Sequence, residues 1–185
     1  MTMLRRSAPA VALAIVAVFA SACGSSAGAA ECNSAVDPTK GKTINLPPTL
    51  GGLRVQEEDK ASEQLVKESE TNSYVCDGRV FSLRQGEELR AVFQVLRLTP
   101  DSRPDDRDWR RTVAVGMDLQ RAPERVGETL VYSGRFNKQL IQMWFVERFM
   151  LVMTVRESAT VAGEPVGVDF KQLSAEALSL RPVGT

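Results

Sequence analysis

The sequence contains no histidine among its 185 residues. Histidine is the usual general base of enzymes, the usual partner of a nucleophilic serine or cysteine, and the commonest metal ligand. No Ser-x-x-Lys motif supplies a histidine-free nucleophile in its place. We therefore expect a protein that is not an enzyme, with no catalytic residues, no metal site and no cofactor. The alternative is a hydrolase or transferase that works with serine, lysine or aspartate.

The start of the chain lacks an apolar run long enough to cross a bilayer as a finished helix, which takes about 20 residues. Its apolar run covers only residues 10–20, directly after a segment that contains Arg5 and Arg6. A charged start, a short apolar stretch and small residues are the layout of a bacterial export signal. We therefore expect residues 1–22 to be a signal peptide of the general secretory route.

The residues that follow the apolar run are Ala20, Ser21, Ala22 and Cys23. They resemble the signal of bacterial lipoproteins, including actinobacterial ones, although that signal usually has leucine at the position of Ala20. The resemblance implies that Cys23 is lipidated, and two or more acyl chains anchor a protein stably. It also implies a cell-membrane location on the extracytoplasmic side, with the membrane as a partner. The alternative is ordinary secretion after a cut near residues 27–29.

Cysteine is scarce, with three residues in the chain. If Cys23 carries lipid, Cys32 and Cys76 remain as a pair, and outside the cytosol such a pair is predicted to form a disulfide. A bridge that closes a loop of about 45 residues stabilises a protein by about 3–4 kcal/mol in the chain-entropy model. The alternatives are two free thiols or an incomplete zinc site, which would need four nitrogen or sulfur ligands.

The charge of the chain is balanced, with 23 basic and 23 acidic residues. Loss of Arg5 and Arg6 with the signal would leave the exported protein slightly acidic. The chain therefore lacks the basic footprint of a nucleic-acid-binding protein, and we expect no nucleic-acid partner.

Composition and hydrophobic periodicity divide the chain into three parts. Residues 1–22 are the signal, residues 23–43 are a flexible Gly- and Ser-rich tether, and residues 44–185 form one domain. In the alternative, Cys32 holds the second half of the tether against the domain.

The domain is predicted to be α+β, with an antiparallel sheet of about five to six strands covered by helices, in the order β-α-β-β-α-β-β-β-α. Helices are predicted at residues 57–72, 105–117 and 170–180, the last capped by Asp169. Strands are predicted as two short extended pieces at 43–46 and 53–56 and as longer strands at 75–83, 89–98, 128–136, 138–146 and 149–156.

Residues 138–180 resemble the end of PsbP-type α/β sandwich domains, in which two strands joined by a tight turn precede a closing helix. The stretch that carries the resemblance is QMWFVERFMLVMT, residues 142–154, about a quarter of the chain with the helix included. The family's turn glycine is replaced by Glu147, beside Arg148. Proteins of this fold are mostly accessory and binding modules, so the resemblance implies the fold and no catalytic residues.

Acidic residues are concentrated at Asp101, Asp105, Asp106 and Asp108, a spacing that does not match a calcium-binding loop. We expect a solvated helix start in which Asp106 pairs with Arg110 and Asp108 with Arg111. A similar acidic run, residues 57–59, is predicted to begin the preceding helix.

The most apolar hairpin contains Met143, Trp144, Phe145 and Phe149. Since strands place alternate residues on opposite faces, one face of it is predicted to be core. The other face is covered by a helix or forms a groove for an apolar ligand or a partner protein of the cell envelope. We therefore expect a lipid-anchored, non-enzymatic accessory or binding module, or alternatively a carrier or sensor of an apolar envelope ligand.

Overall fold

The computed structural model describes residues 32, 37, 39–69, 74–119, 122–156, 160–161, 164–165 and 169–184. The predicted signal peptide and Cys23 lie outside the described residues. Within the described part the chain is α+β, as predicted, with a sheet of eight strands and three helices. No described helix is long and apolar enough to cross a membrane.

The strands, in chain order, are β1 (Lys42–Thr43), β2 (Thr49–Leu50), β3 (Leu53–Glu57), β4 (Val75–Gln85), β5 (Glu88–Leu98), β6 (Glu124–Val126), β7 (Thr129–Phe136), β8 (Gln139–Val146), β9 (Phe149–Arg156), β10 (Thr160–Val161), β11 (Glu164–Pro165) and β12 (Val183–Gly184). The large sheet has the order β2-β3-β4-β5-β9-β8-β7-β6, and its neighbouring strands are antiparallel. Two further antiparallel pairs join β1 with β12 and β10 with β11.

The three helices are α1 (Asp59–Ser69), α2 (Arg107–Gly116) and α3 (Phe170–Leu178). Asp106 caps α2 by accepting hydrogen bonds from the backbone N–H groups of Asp108 and Trp109. Asp169 caps α3 by accepting one from Gln172 at 3.0 Å, as predicted. These side chains satisfy backbone donors that have no partner within a first helical turn.

Helices cover both faces of the sheet, and an apolar cluster lies between the sheet and the helices on each face. On one face α3 contributes Leu173 and Ala177 to a cluster that includes Phe93 and Trp144. On the other face Leu65 of α1 and residues of α2 pack against residues such as Met143. Because adjacent residues of a strand point to opposite faces, β8 supplies a large side chain to each cluster in turn.

The five longer strands and the three helices are confirmed, but the predicted number of strands is too small. The extended piece predicted at 53–56 is confirmed as β3, but of the piece predicted at 43–46 only Thr43 lies in a strand, β1, which pairs with β12. The sheet is wider than five to six strands because the unpredicted β2 and β6 lie at its two edges. The first helix begins at Asp59 instead of residue 57, because Glu57 ends β3 and pairs with Phe81 of β4. Edge strands of two or three residues leave little period-two signal in a sequence.

The β8–β9 turn consists of Glu147 and Arg148, as predicted, and Val146 pairs with Phe149 across it. Glu147 has a φ of 51°, in the left-handed region where glycine is favoured. Glu147 therefore adopts a backbone conformation that glycine adopts more readily than other residues. Its side chain forms an ion pair with Lys42 of β1 at 2.7 Å.

The segment before β1 is attached to the sheet at three described residues. Cys32 forms a disulfide with Cys76 of β4, as predicted. The Asp37 side chain has no solvent exposure, and its Oδ2 accepts a hydrogen bond from Arg97 Nη1 at 2.5 Å. Thr39 is buried and donates to Asp37 Oδ1 from both its backbone N and its Oγ1. Cys32, Asp37 and Thr39, in the second half of the expected tether, are thus held against the domain, as predicted by the alternative in which Cys32 attaches the tether.

Acidification should weaken this attachment. Burial alone would raise the pKa of Asp37, but the two hydrogen bonds from Thr39 and the charge of Arg97 outweigh it and hold the pKa below its ordinary value of 3.8. A carboxylate with a lowered folded-state pKa stabilises the fold fully above its unfolded pKa, and this contribution disappears as the pH falls through the folded-state pKa.

We expect Asp37→Asn to lower the free energy of unfolding by about 1.5–3 kcal/mol at neutral pH, the range for hydrogen bonds to charged groups. The difference from the wild type should shrink below about pH 4. Urea denaturation of both proteins between pH 7 and pH 2.5 measures it. A difference that is independent of pH would show that the Asp37 charge does not stabilise the fold.

Candidate functional site

The predicted apolar face of the hairpin is mostly core. Met143 and Trp144 are 0% exposed and Phe149 is 2% exposed. Trp144 packs edge-on against Phe93, with ring centroids 5.7 Å apart. In this conformation these three side chains present no surface to a ligand, so the hairpin is covered on both faces as the core alternative predicts. Phe145 alone is partly exposed, and it contacts Trp109 of α2 edge-on.

The acidic cluster belongs to the start of α2, as predicted. Asp106 is its N-cap, and hydrogen bonds from the backbone N–H groups of Trp109 and Asp108 lower the pKa of its carboxyl. The ion pairs of the described residues do not include the predicted pairs of this helix; Arg110 Nη2 instead donates to the carbonyl oxygen of Asp105 at 3.3 Å. No group of three or more potential ligand residues in the described part could hold a metal ion.

The second acidic run is divided between a strand and a helix, and its carboxylates have partners. Glu57 forms an ion pair with Arg79 at 2.5 Å, and this hydrogen bond is the main cause that lowers the pKa of Glu57. Glu58 Oε1 accepts a hydrogen bond from Ser82 Oγ at 2.5 Å. These contacts attach the start of α1 to β4 and form no pair of carboxylates that converges on a cavity.

A different part of the surface contains a large cavity, which we name the α2 cleft. It has a volume of about 790 Å³ and lies between α2, the segment after it and β7; its lining includes Arg107, Asp108, Arg111, Val115, Leu119 and Tyr132. Ligand pockets commonly have volumes of about 300–1,000 Å³, so the cleft is large enough for a small organic molecule.

One wall of the α2 cleft is the outer face of α2. Arg107 and Arg111 are four residues apart, so their side chains emerge on the same face of the helix. Val115 continues this face one turn later and is 56% exposed. The wall therefore runs from cationic at the start of the helix to apolar at its end.

The floor of the cleft includes Tyr132, at the middle of β7. The residue is 2% exposed, and its hydroxyl is buried with no hydrogen-bond partner among the described residues. Buried hydroxyls nearly always have a partner, because an unsatisfied one keeps the cost of its lost hydration. Tyr132 is thus a polar group in the cleft lining that lacks a partner within the described protein.

A smaller hollow of about 190 Å³ lies on the other side of Leu119 and is lined mainly by apolar groups, including Met117, Phe136 and Ile141. Gly134 forms part of it, two residues after Tyr132 on the same face of β7. A Cβ atom at Gly134 would lie 2.7 Å from Leu119 Cδ2, so only glycine allows Leu119 to approach the strand this closely. Leu119 therefore separates the hollow from the α2 cleft.

Sequence reasoning did not identify the α2 cleft. It interpreted Arg111 as the partner of Asp108 and gave no role to Arg107 or Tyr132. The available signal was the spacing of Arg107, Arg111 and Val115, which places them on one face of α2. The contribution of Tyr132 depends on how α2 packs against β7, and no local pattern specifies that packing.

No known protein family matches this chain, and comparisons with curated proteins and with solved structures give no significant match.

Proposed function

We propose that this protein is a lipid-anchored, non-enzymatic binding module on the outer face of the cytoplasmic membrane. The observation that carries the proposal is the disulfide between Cys32 and Cys76. Disulfides are typical of oxidising, extracytoplasmic compartments. The bridge uses two of the three cysteines and leaves Cys23, at the end of the signal, as the residue to be lipidated.

The arrangement of the bridge also supports this proposal. Cys32 lies nine positions after Cys23, and Asp37 and Thr39 are buried against the domain soon afterwards. An anchor on Cys23 would therefore hold the domain through a short segment of chain. The domain would stay close to the bilayer instead of reaching far from it.

The proposed fold relationship is to PsbP-type sandwich domains. It is supported by the β8–β9 hairpin, the positive φ of Glu147 at the position of the turn glycine, and the closing helix α3. Helices on both faces of an antiparallel sheet agree with a sandwich. Accessory and binding roles predominate in that fold, in agreement with a chain that lacks histidine.

The second candidate function is a carrier or sensor of an envelope ligand with an apolar part. The observation that favours it is the α2 cleft, with its volume of about 790 Å³ and its exposed Val115. This candidate places the ligand in the α2 cleft and not on the hairpin, whose large side chains are mostly buried.

The anchor is tested by expressing the full chain in a bacterium that processes lipoproteins. We expect the wild type in the membrane fraction, with an N-terminal peptide that starts at Cys23 and carries the mass of its acyl chains. Cys23→Ser should leave the membrane fraction and lose this mass, because serine has no sulfur to form the thioether that carries the diacylglyceryl group. Peptide mass spectrometry and membrane fractionation measure both effects.

The matched control is Cys32→Ser, which removes a cysteine of the bridge and should keep the acylated N-terminus. Recovery of the wild type from the cytoplasm, with Met1 present and no fatty mass, would overturn the proposed location. An unmodified N-terminus near residues 27–29 would instead show ordinary secretion and overturn the anchor alone.

A further inference from the structure

We propose that the α2 cleft binds an amphipathic anion, a molecule in which a phosphate or carboxylate group is joined to an apolar body. Arg107 and Arg111 bind the anionic group, and Val115 and Pro123 contact the apolar body. The buried hydroxyl of Tyr132 donates a hydrogen bond to an acceptor of the ligand when the ligand displaces the side chains that cover it. The proposal names a ligand class for the proposed binding module and rests on that function, but it does not depend on the lipid anchor.

The two arginines are available for an anion. Both are exposed, and the ion pairs and hydrogen bonds of the described residues give neither guanidinium a partner. A guanidinium forms paired hydrogen bonds with phosphate or carboxylate oxygens, and these are stronger than neutral hydrogen bonds. Two of them one helical turn apart provide a cationic site on one wall of the cleft.

Tyr132 is the independent observation that points to a ligand. Its hydroxyl is buried from solvent and has no hydrogen-bond partner among the described residues, although the residue belongs to the cleft lining. Trp144 Nε1 also lacks a partner, but Trp144 is not in the lining of the cleft, whereas Tyr132 is. A ligand oxygen beside Tyr132 would supply the missing acceptor.

The apolar part of the ligand is inferred from the end of α2 and the segment after it. Val115 is exposed and Pro123 is partly exposed in the same lining, and the buried side chains of Ala114 and Leu119 lie beneath them. Surfaces of this kind bind hydrocarbon and exclude fully polar ions such as free phosphate. The cleft is thus cationic at one end and apolar at the other.

Asp108 is the one acidic residue of the described lining, and its carboxylate opposes an anion. With two arginines and one aspartate the lining keeps a net positive charge. Removal of the Asp108 charge should therefore raise the affinity of the cleft for an anionic ligand.

The probe is octyl phosphate, used below its micellar concentration and titrated calorimetrically into the full chain with Cys23→Ser, so that lipidation plays no part. We expect one molecule to bind per chain. Two control compounds each lack one part of this probe: inorganic phosphate lacks the apolar body, and octyl glucoside lacks the charge. Each should bind at least about tenfold more weakly than octyl phosphate, because each loses one good contact.

The arginine double variant Arg107→Gln/Arg111→Gln should weaken binding of octyl phosphate by about tenfold or more. Its matched control, Arg54→Gln/Lys171→Gln, makes the same change in net charge at exposed residues of β3 and α3 and should bind as the wild type does. Asp108→Asn should tighten binding by about threefold.

Tyr132→Phe separates a ligand contact from a structural role. We expect it to weaken binding several-fold and at the same time to raise the melting temperature of the ligand-free protein, because it removes an unsatisfied buried hydroxyl. A merely structural tyrosine would not give both results. A lower melting temperature with unchanged affinity would overturn the role of Tyr132.

Vesicle flotation distinguishes the two sources of such an anion. Binding to phosphatidylglycerol vesicles, but not to phosphatidylcholine vesicles, that is lost in the arginine double variant identifies a headgroup in the bilayer. Binding of octyl phosphate without vesicle binding identifies a dispersed ligand. Equal binding of octyl phosphate and of vesicles by the arginine variant and its control would overturn the proposal and leave the acylation of Cys23 unaffected.

Discussion

Replacement of Trp144 by alanine should lower the free energy of unfolding by about 3–5 kcal/mol, the range for large-to-small substitutions of buried aromatic residues. Trp144 is completely buried, between Phe93 and the residues that α3 contributes to the core. Removal of the indole leaves a cavity between the sheet and α3 that cannot collapse fully. Guanidinium denaturation followed by circular dichroism measures the loss.

The control for this prediction is Trp144→Phe. The indole Nε1 has no hydrogen-bond partner among the described residues, so its loss leaves no new unsatisfied group. Phenylalanine should therefore cost clearly less than alanine does, because it leaves a smaller cavity. A loss below about 1 kcal/mol for the alanine variant would contradict the assignment of Trp144 to the core.

Removal of the disulfide should have an effect nearly as large. We expect the double variant Cys32→Ser/Cys76→Ser to lose about 3–4 kcal/mol, because the reduced chain gains the entropy of a loop that the bridge closes. The wild type treated with a reductant should unfold at the same denaturant concentration as the double variant.

A matched comparison separates the bridge from the ion pair beside it. Arg97 donates to Asp37 and also to the carbonyl oxygen of Cys32, so the bridge and the pair hold the same segment. The losses in the cysteine variant and in Asp37→Asn should therefore fail to add, since contacting groups couple. Additive losses would show that each contact acts on its own.

The sequence predicts the large elements of this fold because their signals are local. Strand β5 alternates in burial over much of its length, β9 is a continuous apolar run that is buried almost throughout, and Asp169 precedes α3 as a helix cap should. The two cysteines that remain after Cys23 can pair in only one way. These signals need no knowledge of distant contacts.

What the sequence does not predict depends on packing between distant segments. Strand β6 has three exposed residues and no apolar pattern, so only its pairing with β7 reveals it. The α2 cleft forms because α2 lies beside Tyr132, more than fifteen residues away in the chain. Tyr132 itself occupies an ordinary buried strand position, and its unsatisfied hydroxyl is visible only in three dimensions.

The bridge between Cys32 and Cys76 has a mechanical consequence. A force that pulls on the chain ahead of Cys32 passes through the covalent bond directly into β4, which lies between β3 and β5 inside the sheet. The two-residue pairing of β1 with β12 and the β2–β3 edge lie outside this load path. Tension applied through the proposed lipid anchor would therefore act on long interior strands instead of peeling the sheet open from its β2–β3 edge.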